Sequence, residues 1–338
     1  MTLSSSQLNQ LNSLAHQQIE SEIPDIFSRA NYMFHLLMQQ KKKIDGGTFI
    51  QIPVVRQELQ SKGWITGTAA DVLDLNPNPM FTYGTFNWKY YYHAITITLE
   101  DMTQTFDTKN AIKSLLEAKI QQSKGSITRD LTKSFFGTAA NNPLQFNGLG
   151  DVFAASGTAY GGLLDTDLGV DDNGDAIWLP YEDSSTTTVN YTGIEPVINK
   201  IKERTQQFGM GNSPQYDLDV MISNATTQST FKVNEQLKQR FLTAKTLESG
   251  FKTLEIDGID WFIDGYSGGS KGNASNLYFL TSKSFALAYK YGLDSKSPLD
   301  EETLVIPNQP IQSNRSFIAG NIICNNRRVN ALQSALIP

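Results

Sequence analysis

The sequence predicts an α+β chain with a second subdomain, and three observations carry that prediction. After a helical stretch at 1–44, strand patterns occupy 45–99. A single long helical pattern occupies 108–136. Helix and strand patterns then interleave, and one of them is a tight hairpin at 250–266.

Residues 1–44 read as helical. Leu8, Leu11, Leu14, Ile19 and Ile23 recur at near-helical spacing until Pro24 interrupts. The next piece, "DIFSRANYMFHLLMQQKKK", is apolar on more than one side and ends in lysines, which suit a helix C-terminus. It precedes every strand, so it reads as an arm that docks on something else. "GGTFIQIPVV" is a short strand. Pro53 inside it marks an edge or a strand end, because proline has no N–H for a ladder. From Arg56 to Met80 the chain is polar and rich in Gly, Asn and Pro. A strand returns as "TFNWKYYYHAITITLE", with Phe86, Trp88, Tyr90 and Tyr92 on one face and Ile95, Ile97 and Leu99 on a face further on. The excursion between the two strands is ~25 residues, long for a connection inside a compact domain, and such loops commonly function or bind a neighbour.

In the long helical pattern Ile112, Leu115, Leu116, Ile120, Ile127, Leu131 and Phe135 share one side. Asp107 or Thr108 suits its N-cap, Gly137 its end, and Gly125 is the place for a bend. A continuous helix there spans about 43 Å, at about 1.5 Å per residue. Residues 138–192 are loop- and strand-rich. "GIEPVINKIKERTQQFG" reads as a helix, "YDLDVMIS" as a strand, and "NATTQSTFKVNEQLKQRF" as a helix capped by Asn224. In "GFKTLEIDGIDWFIDGY", Leu254 and Ile256 alternate with polar residues, as do Ile259, Trp261 and Ile263. Asp257-Gly258 turns between the two runs because both positions tolerate positive φ. "NLYFLTSKSFALAYKYG" and "RSFIAGNIICNNRRVNALQSAL" read as strands, and no internal repeat is present.

Composition narrows the function classes. A compact globule of 338 residues buries roughly 75% of its unfolded surface, so it needs no staples. Hydrophobic residues make up 39% and charged residues 18%, low for an enzyme of this length, with Asn, Gln, Ser and Thr filling the difference. The net charge of −6 argues against general affinity for nucleic acid, because phosphate binding is driven by Lys and Arg. It suits a surface that sits near DNA without adhering to it. Cys324 is the sole cysteine, so no disulfide within the chain and no cysteine zinc site can form; in its strand-like setting it reads as a small buried hydrophobe. His16, His35 and His93 stand at no motif spacing. No apolar run of ~18 residues suggests a membrane span. The N-terminal stretch lacks the basic start and apolar centre of a signal peptide, so an intracellular origin is expected.

Few motifs survive inspection. "DDNGDAIWLPYE" puts Asp171, Asn173, Asp175 and Glu182 at the first, third, fifth and twelfth places of a calcium loop. The glycine that makes the sharp turn is misplaced: Gly174 comes early and Ala176 occupies its position. These four are weak metal candidates, and Asn173-Gly174 reads better as a hairpin turn. "GYSGGSKG" lacks the Gly-Lys-Ser/Thr ending of a phosphate loop and reads as a flexible loop. The aromatics at 81–92 have only Lys89 as a basic neighbour, so they read as a buried sheet face and not as a base-stacking platform. Carboxylate pairs such as Glu100/Asp101 and Asp165/Asp167 are expected by chance in an acidic chain. No catalytic residue and no cofactor is assigned.

This order of elements resembles the major capsid proteins of tailed bacteriophages, the Hong Kong 97-like fold shared with encapsulins. The resemblance covers nearly the whole chain and is one of pattern, with no single diagnostic motif. It implies an N-terminal arm at 1–44 and an extended loop with flanking strands at 45–99. It implies a peripheral domain with a spine helix at 100–140, where "NAIKSLLEAKIQQSKGSITRDLTKSFFG" is similar to that helix. An axial domain follows at 141–290, with the strand–helix–hairpin block "YDLDVMISNATTQSTFKVNEQLKQRF…GFKTLEIDGIDWFIDGY", and a return to peripheral strands at 291–338.

The function implied is self-assembly into hexamers and pentamers of an icosahedral shell around double-stranded DNA. Assembly would take place in the host cytoplasm, ending in the virion capsid, without sequence-specific DNA binding and without enzymatic activity. Only ~44 residues precede the first strand, little room for a fused scaffolding domain, so a separate scaffolding protein is expected, together with a portal. Trp64, Ile65, Val72 and Leu73 lie in the excursion without obvious local partners and are the candidate assembly contacts. Burying them on neighbours would stabilise assembly by roughly 25 cal/mol per Å² of apolar surface. Lys62 also lies there, but nothing identifies a partner for covalent cross-linking. An encapsulin-type compartment of the same fold is the near alternative. A metal-dependent hydrolase using the acidic 165–182 loop, through Asp165, Asp167 or Asp171, is the alternative of another class. A secreted adhesin fits the Asn/Ser/Thr content but not the N-terminus.

Overall fold

The structure is a computed structural model. It describes residues 32–55, 64, 81–98, 109–170, 174–207, 217–236, 243–246, 252–267, 276–291, 301–305, 311–334 and 336. In chain order the elements are α1 (Tyr32–Gln39), β1 (Lys42–Lys43), β2 (Phe49–Val55), β3 (Phe81–Asn87), β4 (Lys89–Thr98), α2 (Lys109–Phe136), α3 (Leu149–Val152), β5 (Tyr181–Asp183), α4 (Tyr191–Gln207), β6 (Val220–Ser223), α5 (Ala225–Gln236), β7 (Thr243–Thr246), β8 (Lys252–Ile256), β9 (Ile259–Ile263), β10 (Leu277–Leu280), β11 (Phe285–Tyr291), β12 (Glu301–Val305), β13 (Ile311–Cys324) and β14 (Ala331–Gln333). Helix and strand are mixed, as expected of an α+β chain. The chain forms two compact units: residues 1–48, 87–149 and 286–323 make the first, and 49–86, 150–285 and 324–338 the second.

The first unit is built on β13. This strand pairs antiparallel with β4 from Ile311↔Thr98 to Gly320↔Lys89, and its other neighbours are β11 and β12, with β1 beyond β11. Gly320 is required here, since a Cβ would come within 2.7 Å of the Ala288 carbonyl oxygen. The long helix α2 runs unbroken through Gly125. It buries Ile127, Leu131 and Phe135, one residue per turn along a single stripe. Lys119 donates to the Thr96 carbonyl at 2.8 Å, which ties the helix to β4. Buried Asn321 accepts from the Asn147 N–H at 2.8 Å and donates to the Asn87 carbonyl at 3.0 Å.

The second unit holds a seven-stranded sheet in the order β5-β14-β10-β6-β9-β8-β7 and a separate β2–β3 pair. Every residue of β6 is buried, as expected of a strand covered on both faces. One cover is α4, whose Ile194, Val197, Ile198 and Ile201 recur at helical spacing and join the core with Met221, Leu254, Trp261 and Phe279. The same core takes in α5, whose Phe231 meets Trp261 edge-on at 5.1 Å. Asn224 caps α5 as its sequence demands, accepting from the Thr227 N–H at 2.7 Å.

The β8–β9 hairpin has the expected register, with Leu254 opposite Trp261 and Ile256 opposite Ile259. Asp257 and Gly258 take φ of 52° and 81°, the left-handed pair of a two-residue turn. Ile263 departs from the alternation and is exposed, while Phe262 is buried. Both faces of β9 are covered, so burial there does not follow a period of two.

Two further readings need correction. The lysines after α1 do not end that helix: Lys42 and Lys43 form a short strand parallel to β11, opposite Ala288 and Tyr289. Their backbone completes a sheet edge, which outweighs the favourable charge at a helix end. The run "TFNWKYYYHAITITLE", read as one strand from Thr85, is not one strand. It breaks at Trp88 into β3 and β4, which belong to different units. Trp88 is occupied by a hydrogen bond from its indole to the Gly47 carbonyl at 3.0 Å. The proposed N-caps of α2, Asp107 and Thr108, and the "GYSGGSKG" segment from residue 268 onward lie outside the described residues.

Candidate interaction surfaces

Of the aromatics at 81–92 expected on a buried sheet face, Phe86 is buried and Trp88 and Tyr91 are half-buried, while Phe81, Tyr83, Tyr90 and Tyr92 are exposed. In β4 the alternation puts Tyr91, His93 and Ile95 on the face toward α2, with the Tyr91 hydroxyl 3.3 Å from an Asp130 carboxylate oxygen. Burial, aided by that negative neighbour, pushes the Tyr91 phenol up to about 12. Tyr90 and Tyr92 take the other face and are 61% and 67% exposed. Tyr92 leans on Phe317 of β13, with ring centroids 6.4 Å apart.

The loop after α2 adds to this surface. Thr138 and Asn142 turn it by accepting from the Ala140 and Leu144 N–H groups. Lys89 ties it to β4 by donating to the Pro143 carbonyl. The turn presents Leu144 at 79% exposure. Tyr90, Tyr92, Asp130, Lys133, Leu144 and Phe146 line a groove of about 420 Å³.

A second surface lies on the β2–β3 pair. Ile50, Ile52, Val54 and Phe86 point inward and are buried. Gly84 fits against Ile52, where a Cβ would meet the isoleucine side chain at 3.3 Å. The outward set is Phe49, Gln51, Pro53, Phe81, Tyr83 and Thr85, with no charge among them. Phe49, Phe81 and Tyr83 are each more than half exposed. Apolar aromatics with no charged neighbour on the same face are the composition of an interface core.

The base of this pair is anchored. Thr85 donates its N–H to the Gly161 carbonyl at 2.7 Å, and Phe86 packs edge-on against Tyr160 at 5.0 Å. Tyr160 is part of a buried cluster: its hydroxyl accepts from the Cys324 N–H at 2.9 Å, and the Arg327 guanidinium lies over its ring at 5.1 Å. Burial drives the Tyr160 phenol well above its ordinary value and holds the Cys324 thiol at about 11. Cys324 is therefore the inert small hydrophobe its sequence context suggests.

Of the candidate assembly contacts, Trp64 is described and its side chain is fully exposed. Ile65, Val72 and Leu73 lie outside the described residues, as do Asp171 and Asn173. Asp175 faces basic groups, with Lys200 Nζ at 3.1 Å and Arg204 Nε at 3.7 Å. Glu182 is exposed on β5. Asp165 accepts from the Ser156 hydroxyl and from the Gly157 and Thr166 N–H groups, while Asp167 caps its own turn by accepting from the Leu164 N–H at 2.8 Å. Among the described residues no three His, Cys, Asp or Glu side chains are grouped to hold a metal. Val170 bridges Ala176 in antiparallel fashion, and Gly174 has a φ of 83°.

Sequence reasoning missed the buried arginines. Arg327 and Arg328, taken for strand residues, form a short 3-10 turn with side chains withdrawn from solvent. No pattern in "NNRRVNAL" separates them from surface arginines.

No family model matches the sequence, and no curated protein matches it. Solved structures do match. A chain of the cyanophage A-1(L) capsid asymmetric unit matches over 90% of this chain and 92% of its own, at 12% identity and a TM-score of 0.60. The capsid of an empty GTA particle matches over 89% and 90%, at 13% identity and a TM-score of 0.57. The SrpI encapsulin complex of Synechococcus elongatus matches over 90% and 87%, at 8% identity and a TM-score of 0.52. The likeness at these identities is one of fold, and the fold of this chain is that of a tailed-phage major capsid protein.

Proposed function

We propose that the chain is the major capsid protein of a tailed bacteriophage, of Hong Kong 97-like fold, which builds hexamers and pentamers of an icosahedral shell around double-stranded DNA. The observation that carries this reading is the match to a cyanophage capsid chain along nine-tenths of both chains. The two exposed aromatic surfaces support it, because aromatic faces gain from burial against a neighbour, and the β2–β3 face carries no charge among its outward residues. In this reading residues 1–44 are the arm, the stretch from β2 to β4 is the extended loop, α2 is the spine helix, and the seven-stranded unit is the axial domain. Trp64, Ile65, Val72 and Leu73 would then meet neighbouring subunits. A separate scaffolding protein, a portal and assembly in the host cytoplasm complete the proposal, and no catalytic step is assigned.

A second reading is an encapsulin-type compartment with protein cargo, favoured by the encapsulin among the structural neighbours. Electron microscopy of the purified protein, alone and co-expressed with its genomic neighbours, tests both. Closed shells are expected. Double-stranded DNA in purified particles supports the capsid reading, and protein cargo without DNA supports the compartment. A monomer or dimer under every condition overturns both.

A further inference from the structure

The second unit is made from distant pieces of chain, and its last piece holds the others together. Residues 324–336 return to it after a segment, 286–323, that belongs to the first unit. They place β14 between β10 and β5. Among the described residues β14 is the only strand neighbour of β5, pairing from Ala331↔Tyr181 to Gln333↔Asp183.

Side chains from the same stretch satisfy buried carbonyls elsewhere. Arg327 donates to Val152, Trp178 and Ala154 at 2.8, 3.1 and 3.3 Å. Arg328 donates to the Arg204 carbonyl near the end of α4 at 3.0 Å. Gln333 donates to Gly193 at 3.1 Å, and Asn330 accepts from the Thr281 N–H at 2.9 Å. Without these partners the described residues of 150–170 and 174–183 would leave several carbonyls buried and unpaired, among them those of Val152, Ala154 and Trp178. The sequence separations of these contacts reach 175 residues for Arg327 and Val152, and contacts that close such long loops cost the most entropy before they return any.

We propose that residues 324–334 form a clasp: residues 150–170 and 174–183, β5 included, remain open until this stretch docks, and its docking completes the second unit. A physical chain links the clasp to the exposed aromatic face. Cys324 and Arg327 hold Tyr160, Tyr160 holds Phe86, and Thr85 hangs on Gly161, so the β2–β3 pair has its anchor only when the clasp is shut. That the clasp thereby sets when a copy can join others rests on the assembly reading above; the folding order does not.

The test is pulsed hydrogen exchange during refolding of the full chain, read by mass spectrometry. Residues 150–183 are expected to gain protection in the same phase as 324–334, after 217–236 and 252–263. Protection of 150–183 in an earlier phase than 324–334 overturns the clasp. Arg327→Lys provides a second measurement on the folded protein, since it keeps the charge and loses the fork. Thiol labelling of Cys324 and exchange of 150–183 should accelerate together, on the order of 10- to 100-fold, with the β8–β9 hairpin unchanged. Acceleration confined to 324–334 rejects the proposal. If Arg327→Lys does not fold, the refolding order of the wild-type chain decides alone. Joint protection in a chain that never forms shells leaves the clasp standing and removes the capsid reading.

Discussion

The Tyr191 hydroxyl donates a 2.9 Å hydrogen bond to Asp257, so the first residue of α4 is fastened to the turn of the β8–β9 hairpin across 66 residues of sequence. Asp257 sits in a left-handed conformation, which the following Gly258 shares. The turn thus sets the register of Leu254 against Trp261 and also helps seat the helix that covers them.

Gly258→Val should destabilise the protein by about 1–3 kcal/mol, through backbone strain alone. A Cβ at this position meets nothing within 4 Å, so no clash contributes, and Gly258→Asn should be close to neutral. Urea midpoints of the two variants check this. Equal midpoints for Val and wild type would mean that the turn does not take positive φ.

Asp165 should dominate part of the acid limb. The Ser156 hydroxyl, and then the Gly157 and Thr166 N–H groups, hold its carboxyl below the ordinary carboxylate value. A lowered folded pKa means stability that is present above the unfolded value, roughly pH 4, and lost as pH falls through the folded value. Asp165→Asn should cost about 1–3 kcal/mol at neutral pH and flatten the loss of stability on acidification. Parallel acid limbs for the variant and wild type would remove Asp165 from this role.

Tyr83→Ser and Tyr90→Ser should separate folding from assembly. Both side chains are about three-fifths exposed, so each change should move stability by less than ~0.5 kcal/mol. If the two faces are assembly surfaces, both variants should lose closed particles while melting like wild type. Particle yield at wild-type level in both would show that neither face is an interface.

Trp64 should be a reporter of assembly. Of the four tryptophans Trp178 and Trp261 are buried, Trp88 is half-buried and Trp64 is fully exposed, so acrylamide should most readily quench a component that Trp64→Phe removes without altering the melting temperature. That component should shrink when shells form. Undiminished quenching in assembled particles would take Trp64 out of the contact set.

Local structure was legible wherever a short pattern decides the outcome. The Asp257-Gly258 turn, the Asn224 cap, the α2 stripe of Ile127, Leu131 and Phe135, and the inert Cys324 all follow from a few neighbouring residues. The aromatic run at 81–92 was misread because alternation says which residues share a face but not which face is covered. A break at Trp88 sends β3 and β4 to different units, and Tyr90 and Tyr92 end up in solvent.

By itself, then, the sequence determined the mixed α+β character, the long α2 helix and the β8–β9 hairpin, the absence of a disulfide within the chain, and the weakness of the calcium-loop match, because each rests on residue identity and short-range geometry. Only the tertiary structure decided which aromatics are exposed, that Asp175 faces Lys200 and Arg204, and that Arg327 and Arg328 are buried against carbonyls up to 175 residues away. Those outcomes depend on which distant segments meet, and a local pattern holds no record of the partner that a long loop will bring.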